Sequence, residues 1–128
     1  MPRLTSDLLD LILAAFDGRL KSIVPHWSAH HALTVIYAAK NYPAKPEIGT
    51  LITQLDAAEN HDGVTVFHAG TKLRDDGALI ASGGRVLAVT GQGETLRDAQ
   101  TRAYSALRAI TWPGGFYRTD IGWRALKD

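Results

Sequence analysis

The chain has 128 residues, no cysteine and a net charge of +1, and 45% of its residues are hydrophobic. This composition is typical of one folded domain, and the lack of cysteine excludes disulfides, thiolate metal sites and cysteine nucleophiles. The near-neutral charge gives no reason to expect nucleic acid or a membrane as a partner, and without an apolar run of about 20 residues or a signal peptide we expect a cytoplasmic protein.

The first predicted element is an amphipathic helix that stops before Gly18. Ser6 is its expected N-cap, and Asp7 and Asp10 lie in the first turn, where carboxylates complement the helix dipole. The apolar side chains of this helix fall on one stripe, formed by Leu8, Leu9, Ile12, Leu13 and Phe16. Because such a stripe must be covered, the helix is expected to pack on something.

A buried strand is predicted over residues 32–39, where apolar and β-branched residues run without a polar break. Such a run is typical of a strand that is buried on both faces. The prolines within residues 41–46 end it. The segments that surround it are a connection over 21–30, a weak strand over 50–53, a helical turn over 56–62 and a further strand over 64–69.

An antiparallel hairpin is predicted next, with strands over residues 78–82 and 85–90 and Gly83-Gly84 as its two-residue turn. A glycine turn can expose backbone N–H groups, and Arg85 beside it could bind a phosphate through both guanidinium nitrogens. The dinucleotide-binding fingerprint is absent. On spacing alone, a plain hairpin is therefore favoured over an anion site.

The clearest helix begins after Thr95, which forms a capping box with Asp98, and its apolar positions continue to Ile110. Residues 91–93 are interpreted as a turn before this helix. The tail over 116–126 is rich in aromatic residues and is expected to dock. The whole pattern predicts an α+β domain with a mostly antiparallel sheet and helices packed on one face.

No independent catalytic apparatus is visible in the motifs. His26 and His30 have a spacing that could suit a metal on a helix, but the segment lacks helical periodicity, so no metal site is predicted. Asp75-Asp76 is better explained by a turn than by acid–base chemistry. His68 ends a predicted strand, where a half-buried polar residue is a more usual interpretation than a ligand contact.

Several motifs in this order resemble the C-terminal domain of phosphoribosylamine–glycine ligases, which are ATP-grasp enzymes. The motifs are His68-Ala69-Gly70-Thr71, the run from Ser82 to Thr90, Arg102-Ala103-Tyr104 and the run from Arg118 to Ala125. The resemblance covers essentially the whole chain. It implies a helical segment over 1–18 that resembles the end of the ATP-grasp region, followed by the C-terminal ligase domain over 19–128.

The resemblance implies an ATP-dependent carbon–nitrogen ligase that joins glycine to 5-phosphoribosylamine and gives glycinamide ribonucleotide in purine biosynthesis. In that family, ATP with magnesium or manganese activates the glycine carboxylate as an acyl phosphate, which the ribosylamine nitrogen attacks. The ATP-grasp lobes and the amino-terminal domain of the family are absent from this sequence. We therefore expect the chain alone to be inactive and to hold no ATP or metal.

The same resemblance makes Gly83, Gly84 and Arg85 the candidates for contact with the ribosylamine phosphate, with His68 as a further candidate. Two other hypotheses remain open. One is a non-catalytic module that binds a small molecule or a protein and retains this fold. The other is a scaffold in which Arg85 only braces its own turn.

Overall fold

The computed structural model describes residues 1–127, which form two β-sheets and three α-helices. The helices are α1 (Leu8–Phe16), α2 (Leu55–Glu59) and α3 (Leu96–Ala109), with a short 3-10 turn at Leu20–Ser22. The strands are β1 (His31–Ala39), β2 (Val64–His68), β3 (Thr71–Leu73), β4 (Leu79–Ala81), β5 (Arg85–Gly93) and β6 (Gly115–Phe116). Within these residues, no helix is long and apolar enough to cross a membrane.

The main sheet has the strand order β2-β5-β1-β6, and its adjacent strands are antiparallel. The long helix α3 packs on one face of this sheet, against β5 and β1, and α2 packs beside α3. The buried side of α3 consists of small and apolar residues, namely Ala99, Ala103, Ala106 and Leu107. The predicted α+β fold, with helices on one face of an antiparallel sheet, is confirmed.

The capping box predicted for α3 is confirmed. The Asp98 N–H donates to Thr95 Oγ1 at 3.1 Å, and the Thr95 N–H donates to Asp98 Oδ2 at 3.1 Å. The Thr95 hydroxyl, which donates to Asp98 Oδ2 at 2.6 Å, and then the Thr95 N–H hold the pKa of the Asp98 carboxyl below its usual value. The helix therefore begins where its local sequence dictates.

The predicted hairpin between residues 78–82 and 85–90 is wrong. β4 pairs with β3, and β5 pairs with β1 on one side and with β2 on the other. Neither Gly83 nor Gly84 has the positive φ that a tight hairpin turn requires, whereas Gly77, at the β3–β4 turn, has a φ of 81°. Both edges of β5 are occupied, by β1 and by β2, so β4 has no edge there to join.

The segment over residues 91–93 is also not a turn, because β5 continues through Gly93. Gly91 and Gly93 lie directly beneath α3. A Cβ atom at Gly91 would overlap the Ala99 carbonyl oxygen, and one at Gly93 would lie 2.6 Å from the Asp98 Cβ. The two glycines therefore allow close contact between strand and helix, rather than a loop.

Strand β1 is buried on both faces only at its end. Leu33 and Val35 are buried beneath α3, whereas Thr34 and Ile36 are exposed on the opposite face. The prediction of burial on both faces is therefore wrong for the first part of the strand, because no layer within residues 1–127 covers its second face. The weak strand over 50–53 is reduced to isolated bridges at Leu51 and Thr53.

Helix α1 differs from its prediction in its cap and in its packing. Asp7 is the N-cap, with its carboxylate accepting from the Leu9 N–H at 2.7 Å, whereas Ser6 Oγ accepts from the His26 N–H. Only Ala14 of this helix is buried. The apolar stripe stays exposed within the described residues, at Leu8, Leu9, Ile12, Leu13 and Phe16.

Candidate functional site

A groove of about 300 Å³ lies on the face of the main sheet that α3 leaves uncovered. Its floor is formed by Thr34, Ile36 and Ala38 of β1. Because alternate residues of a strand point to opposite faces, these three side chains lie on the other side of β1 from the core residues beneath α3. The open face of the sheet therefore provides a concave surface for a ligand.

One wall of the groove is the tail, which docks along the free edge of β1 as the sequence predicts. It begins with β6, where Phe116 pairs with Ala38. The next residue, Tyr117, packs edge-on against Tyr37, with ring centroids 5.0 Å apart. The aromatic density of this segment is thus used to anchor the wall to the sheet.

Helix α3 holds the wall from behind through hydrogen bonds to the tail backbone. The Tyr104 hydroxyl donates to the Arg118 carbonyl oxygen at 2.7 Å and accepts from the Ile121 N–H at 3.0 Å. The Gln100 side-chain amide donates to the Ile121 carbonyl oxygen at 2.7 Å. The position of the wall therefore depends on how close α3 lies to the sheet.

Arg85 lines this groove from the first position of β5, where it pairs with Ala38. Across the described residues 1–127, its guanidinium has no carboxylate within salt-bridge distance and makes no hydrogen bond. The hypothesis that Arg85 braces its own turn therefore finds no support in the contacts of its guanidinium. Arg85 instead gives the groove a cationic side chain without a partner.

Gly83 and Gly84 precede Arg85 in a tightly packed connection. A Cβ atom at Gly84 would overlap the ring of Tyr42, and one at Gly70 would lie 2.9 Å from the Gly83 Cα. The Gly84 carbonyl accepts from the Ala39 N–H at 2.8 Å. In the part of the chain that the structure describes, the N–H groups of the two glycines donate to no acceptor. Neither glycine lines the groove, although both directly precede Arg85 in the chain.

His68 lies apart from Arg85. It pairs across the sheet with Leu87, which is buried on the α3 face, and its Nδ1 lies 3.0 Å from Thr71 Oγ1. Since cross-strand partners point to the same face, the register directs His68 away from the groove. Of the four predicted site residues, only Arg85 therefore lines the groove, whereas Gly83 and Gly84 adjoin it along the chain and His68 is directed elsewhere.

The structure adds Arg118, to which the sequence interpretation assigned no role. Arg118 lines the same groove from its wall and pairs with Asp120 through bonds of 2.9 and 2.7 Å. The Arg118 hydrogen bond lowers the pKa of the Asp120 carboxyl. The signal for this site was the charged Arg-x-Asp sequence in an aromatic tail, but only the docking of the tail shows that Arg118 reaches the groove.

The described residues do not fit a magnesium site. Over residues 1–127, no cluster of three or more histidine or acidic side chains could hold a metal ion. Asp76 and Asp120 are engaged by Arg74 and Arg118, whereas magnesium requires free oxygen ligands in octahedral geometry.

The fold and the groove together define an α+β domain whose open sheet face carries a largely apolar groove lined by two arginines. Residues 32–124 match the family model described as "Phosphoribosylglycinamide synthetase, C domain", and the chain belongs to this family. The resemblance identified from the sequence motifs is thereby confirmed.

Similar proteins carry a consistent name. A phosphoribosylamine–glycine ligase from Brucella melitensis is 54% identical over 99% of this chain, and a chloroplastic one from Arabidopsis thaliana is 50% identical over 99%. The crystal structure of such a ligase from Thermotoga maritima matches 88% of the chain with a TM-score of 0.72 and 33% identity. The chain spans only 30%, 24% and 27% of these three proteins, respectively.

Proposed function

We propose that the chain is the C-terminal part of an ATP-dependent ligase that joins glycine to 5-phosphoribosylamine in purine biosynthesis. The family match, the names of the relatives and the share of their length that the chain spans support this proposal. The product would be glycinamide ribonucleotide, and the cytoplasm is the compartment that we propose. One of the relatives carries the description chloroplastic.

Residues 1–18 are proposed to end the preceding ATP-grasp region, and residues 19–128 to form the C-terminal domain. The family model begins only at residue 32, whereas the relatives align with nearly the whole chain. The uncovered apolar stripe of α1 agrees with this division, because it requires a cover that residues 1–127 do not supply. ATP and its metal are assigned to the portion of the relatives that the chain does not span.

The groove is proposed to bind the 5-phosphate of phosphoribosylamine. The observation that carries this proposal is Arg85, which lines the groove and whose guanidinium has no hydrogen-bond or salt-bridge partner within residues 1–127. Gly83 and Gly84 do not line the groove but precede Arg85 directly, and their N–H groups have no backbone acceptor in that part of the chain. A guanidinium fork matches the oxygens of a phosphate, and backbone amides add fixed donors. His68 stays a prediction, since it lies outside the groove.

The proposed role of this domain in the reaction is positioning. A phosphate held by Arg85 would fix the sugar on the open face of the sheet, so that its amine is presented to the activated glycine held by the rest of the ligase. Holding two reactants in a fixed geometry can supply several kcal/mol of a barrier, about 7–11 kcal/mol in the best intramolecular cases. No residue of this chain is assigned to proton transfer or to nucleophilic attack.

A chimera tests this assignment. The segment of the Brucella ligase that aligns with this chain is replaced by the chain, and initial rates are measured against each substrate in turn. Arg85→Ala should raise the KM for phosphoribosylamine by about tenfold or more, because a charge-assisted phosphate contact is lost, and should leave the KM for ATP unchanged. Arg97→Ala, an exposed arginine outside the groove, is the matched control.

Two results would contradict the proposal. If Arg85→Ala leaves both kcat and the KM for phosphoribosylamine unchanged, the groove does not bind the phosphate. If the purified chain alone makes glycinamide ribonucleotide from ATP, glycine and phosphoribosylamine, the division of labour between this domain and the rest of the ligase is wrong.

A further inference from the structure

A second arginine, Arg118, lines the groove that contains Arg85. It lies on the opposite structural element, the docked tail, whereas Arg85 lies on β5. Most of the remaining lining is apolar, including Ile36 and Phe116. Two arginine residues from different structural elements therefore line one otherwise weakly polar groove.

The backbone at Arg118 is fixed by hydrogen bonds, but its side chain is exposed and makes few contacts. The Tyr104 hydroxyl binds the backbone on both sides of this turn, at Arg118 and Ile121. The guanidinium is held only by Asp120, two residues along the chain, and the side chains of this pair are 68% and 48% exposed, respectively. Exposed ion pairs of this kind contribute little to stability, so a competing anion can displace the carboxylate.

A phosphate is a strong competitor for such a site. It carries more negative charge than a carboxylate and offers three oxygens, and it fits the same two parallel N–H donors of an arginine. Asp120 also keeps the guanidinium neutralised in the free protein, which prevents two unpaired cations from facing one groove. The local pair can therefore open when a ligand supplies the replacement charge.

We propose that Arg118 is a second phosphate contact of the groove, and that Asp120 holds its guanidinium until the phosphate displaces the carboxylate. This inference rests on the proposed function, because it concerns the same groove and the same phosphorylated substrate. It assigns Asp120 an antagonistic role: its carboxylate competes with the substrate for Arg118.

The chain contains a matched control pair. Arg74 and Asp76 form the same arrangement two residues apart, with Arg74 Nε donating to Asp76 Oδ1 at 2.9 Å and side chains that are 54% and 56% exposed. This pair lies in the β3–β4 turn and does not line the groove. Variants at the two pairs therefore change the overall charge equally but change the charge of the groove differently.

The experiment titrates the 128-residue chain with ribose 5-phosphate, a stable analogue that carries the same phosphate. Binding is followed by the arginine Nε–H signals in NMR spectra at low salt, and circular dichroism verifies the fold of each variant. Arg118→Ala should weaken binding about tenfold, and Asp120→Asn should tighten it about twofold to fivefold, because the internal competitor is removed. Arg74→Ala and Asp76→Asn should each leave the dissociation constant within about twofold of the wild-type value.

The results separate this inference from the proposed function. If Arg85→Ala weakens binding whereas Arg118→Ala and Asp120→Asn do not change it, the proposed contact of Arg118 with the phosphate is overturned. The proposed contact of Arg85 is then supported. If Asp120→Asn weakens binding, the antagonistic role of Asp120 is overturned. If Arg118→Ala weakens binding but Arg85→Ala does not, the assignment of the phosphate to Arg85 fails instead.

The chimera decides the case in which the isolated chain binds ribose 5-phosphate too weakly to measure. There, Asp120→Asn should lower the KM for phosphoribosylamine, Arg118→Ala should raise it, and the KM for ATP should stay constant. Unchanged values for phosphoribosylamine in both variants would overturn the inference. A merely structural role of the pair would alter kcat or the KM of all substrates together.

Discussion

The contact between β5 and α3 gives the sharpest test of how the fold builds the groove. Gly91 lies where α3 crosses the strand, and a Cβ atom there would overlap the Ala99 carbonyl oxygen and lie 2.7 Å from the Ala103 nitrogen. Both atoms belong to the helix backbone, so no side chain can rotate to make room. The substitution Gly91→Ala must therefore push α3 away from the sheet.

The magnitude follows from the overlap. Carbon and oxygen atoms in contact lie about 3.3–3.6 Å apart, so α3 must withdraw by roughly 1 Å. Overpacking of a filled core costs about 1–3 kcal/mol, and the reduced entropy of the unfolded chain returns about 0.4–1 kcal/mol. The midpoints of these two ranges differ by about 1.3 kcal/mol, so we expect Gly91→Ala to lose about 1.3 kcal/mol of unfolding free energy, which corresponds to roughly 4–8 °C in Tm for a domain of this size.

Urea unfolding followed by circular dichroism measures this loss. Gly18→Ala is the control, because Gly18 has a φ of +69° but no atom within 4 Å of its would-be Cβ. Its cost is backbone strain alone, about 1–2 kcal/mol. Ligand binding in the groove gives a second measurement, because Tyr104 of α3 holds the tail that forms one wall of the groove. Gly91→Ala should therefore weaken the binding of ribose 5-phosphate, and Gly18→Ala should not. Stability for Gly91→Ala within about 0.5 kcal/mol of wild type would refute the reasoning.

Three further predictions concern other parts of the chain. Leu107→Ala should cost about 2–5 kcal/mol in denaturant unfolding, because this side chain is 1% exposed in the core. Because the pKa of the Asp98 carboxyl is lowered in the folded state, its contribution to the free energy of unfolding is complete above its unfolded pKa, which is about 4, and is lost as the pH falls. The difference in unfolding free energy between wild type and Asp98→Asn should therefore shrink in acid. A constant difference would contradict this. The exposed stripe of α1 should make the chain self-associate in sedimentation at high concentration, and Leu9→Ser with Phe16→Ser should restore the monomer; a monodisperse wild-type monomer would count against it.

The sequence alone determined the features whose partners lie close along the chain. The capping box at Thr95 and Asp98 is satisfied within four residues, so composition and spacing place the start of α3. The aromatic content of the tail was enough to predict that it docks, and the motifs from His68 to Ala125 were enough to identify the family. The fold class also follows, because alternating and helical periodicities fix which faces are apolar.

Only the tertiary structure decided which strand edges meet and which side chains share a groove. The spacing of Gly83-Gly84 between two predicted strands favours a hairpin. In the structure, however, β5 pairs at its two edges with β1 and β2, which are distant in sequence. Residues 91–93 have the composition of a loop. In the structure, however, the backbone of α3 lies so close to Gly91 that this position has no room for a Cβ atom. Arg85 and Arg118 are brought to one groove because the tail docks along β1. Strand pairing and docking depend on contacts between distant segments, and local periodicity carries no information about which of those contacts buries the most surface.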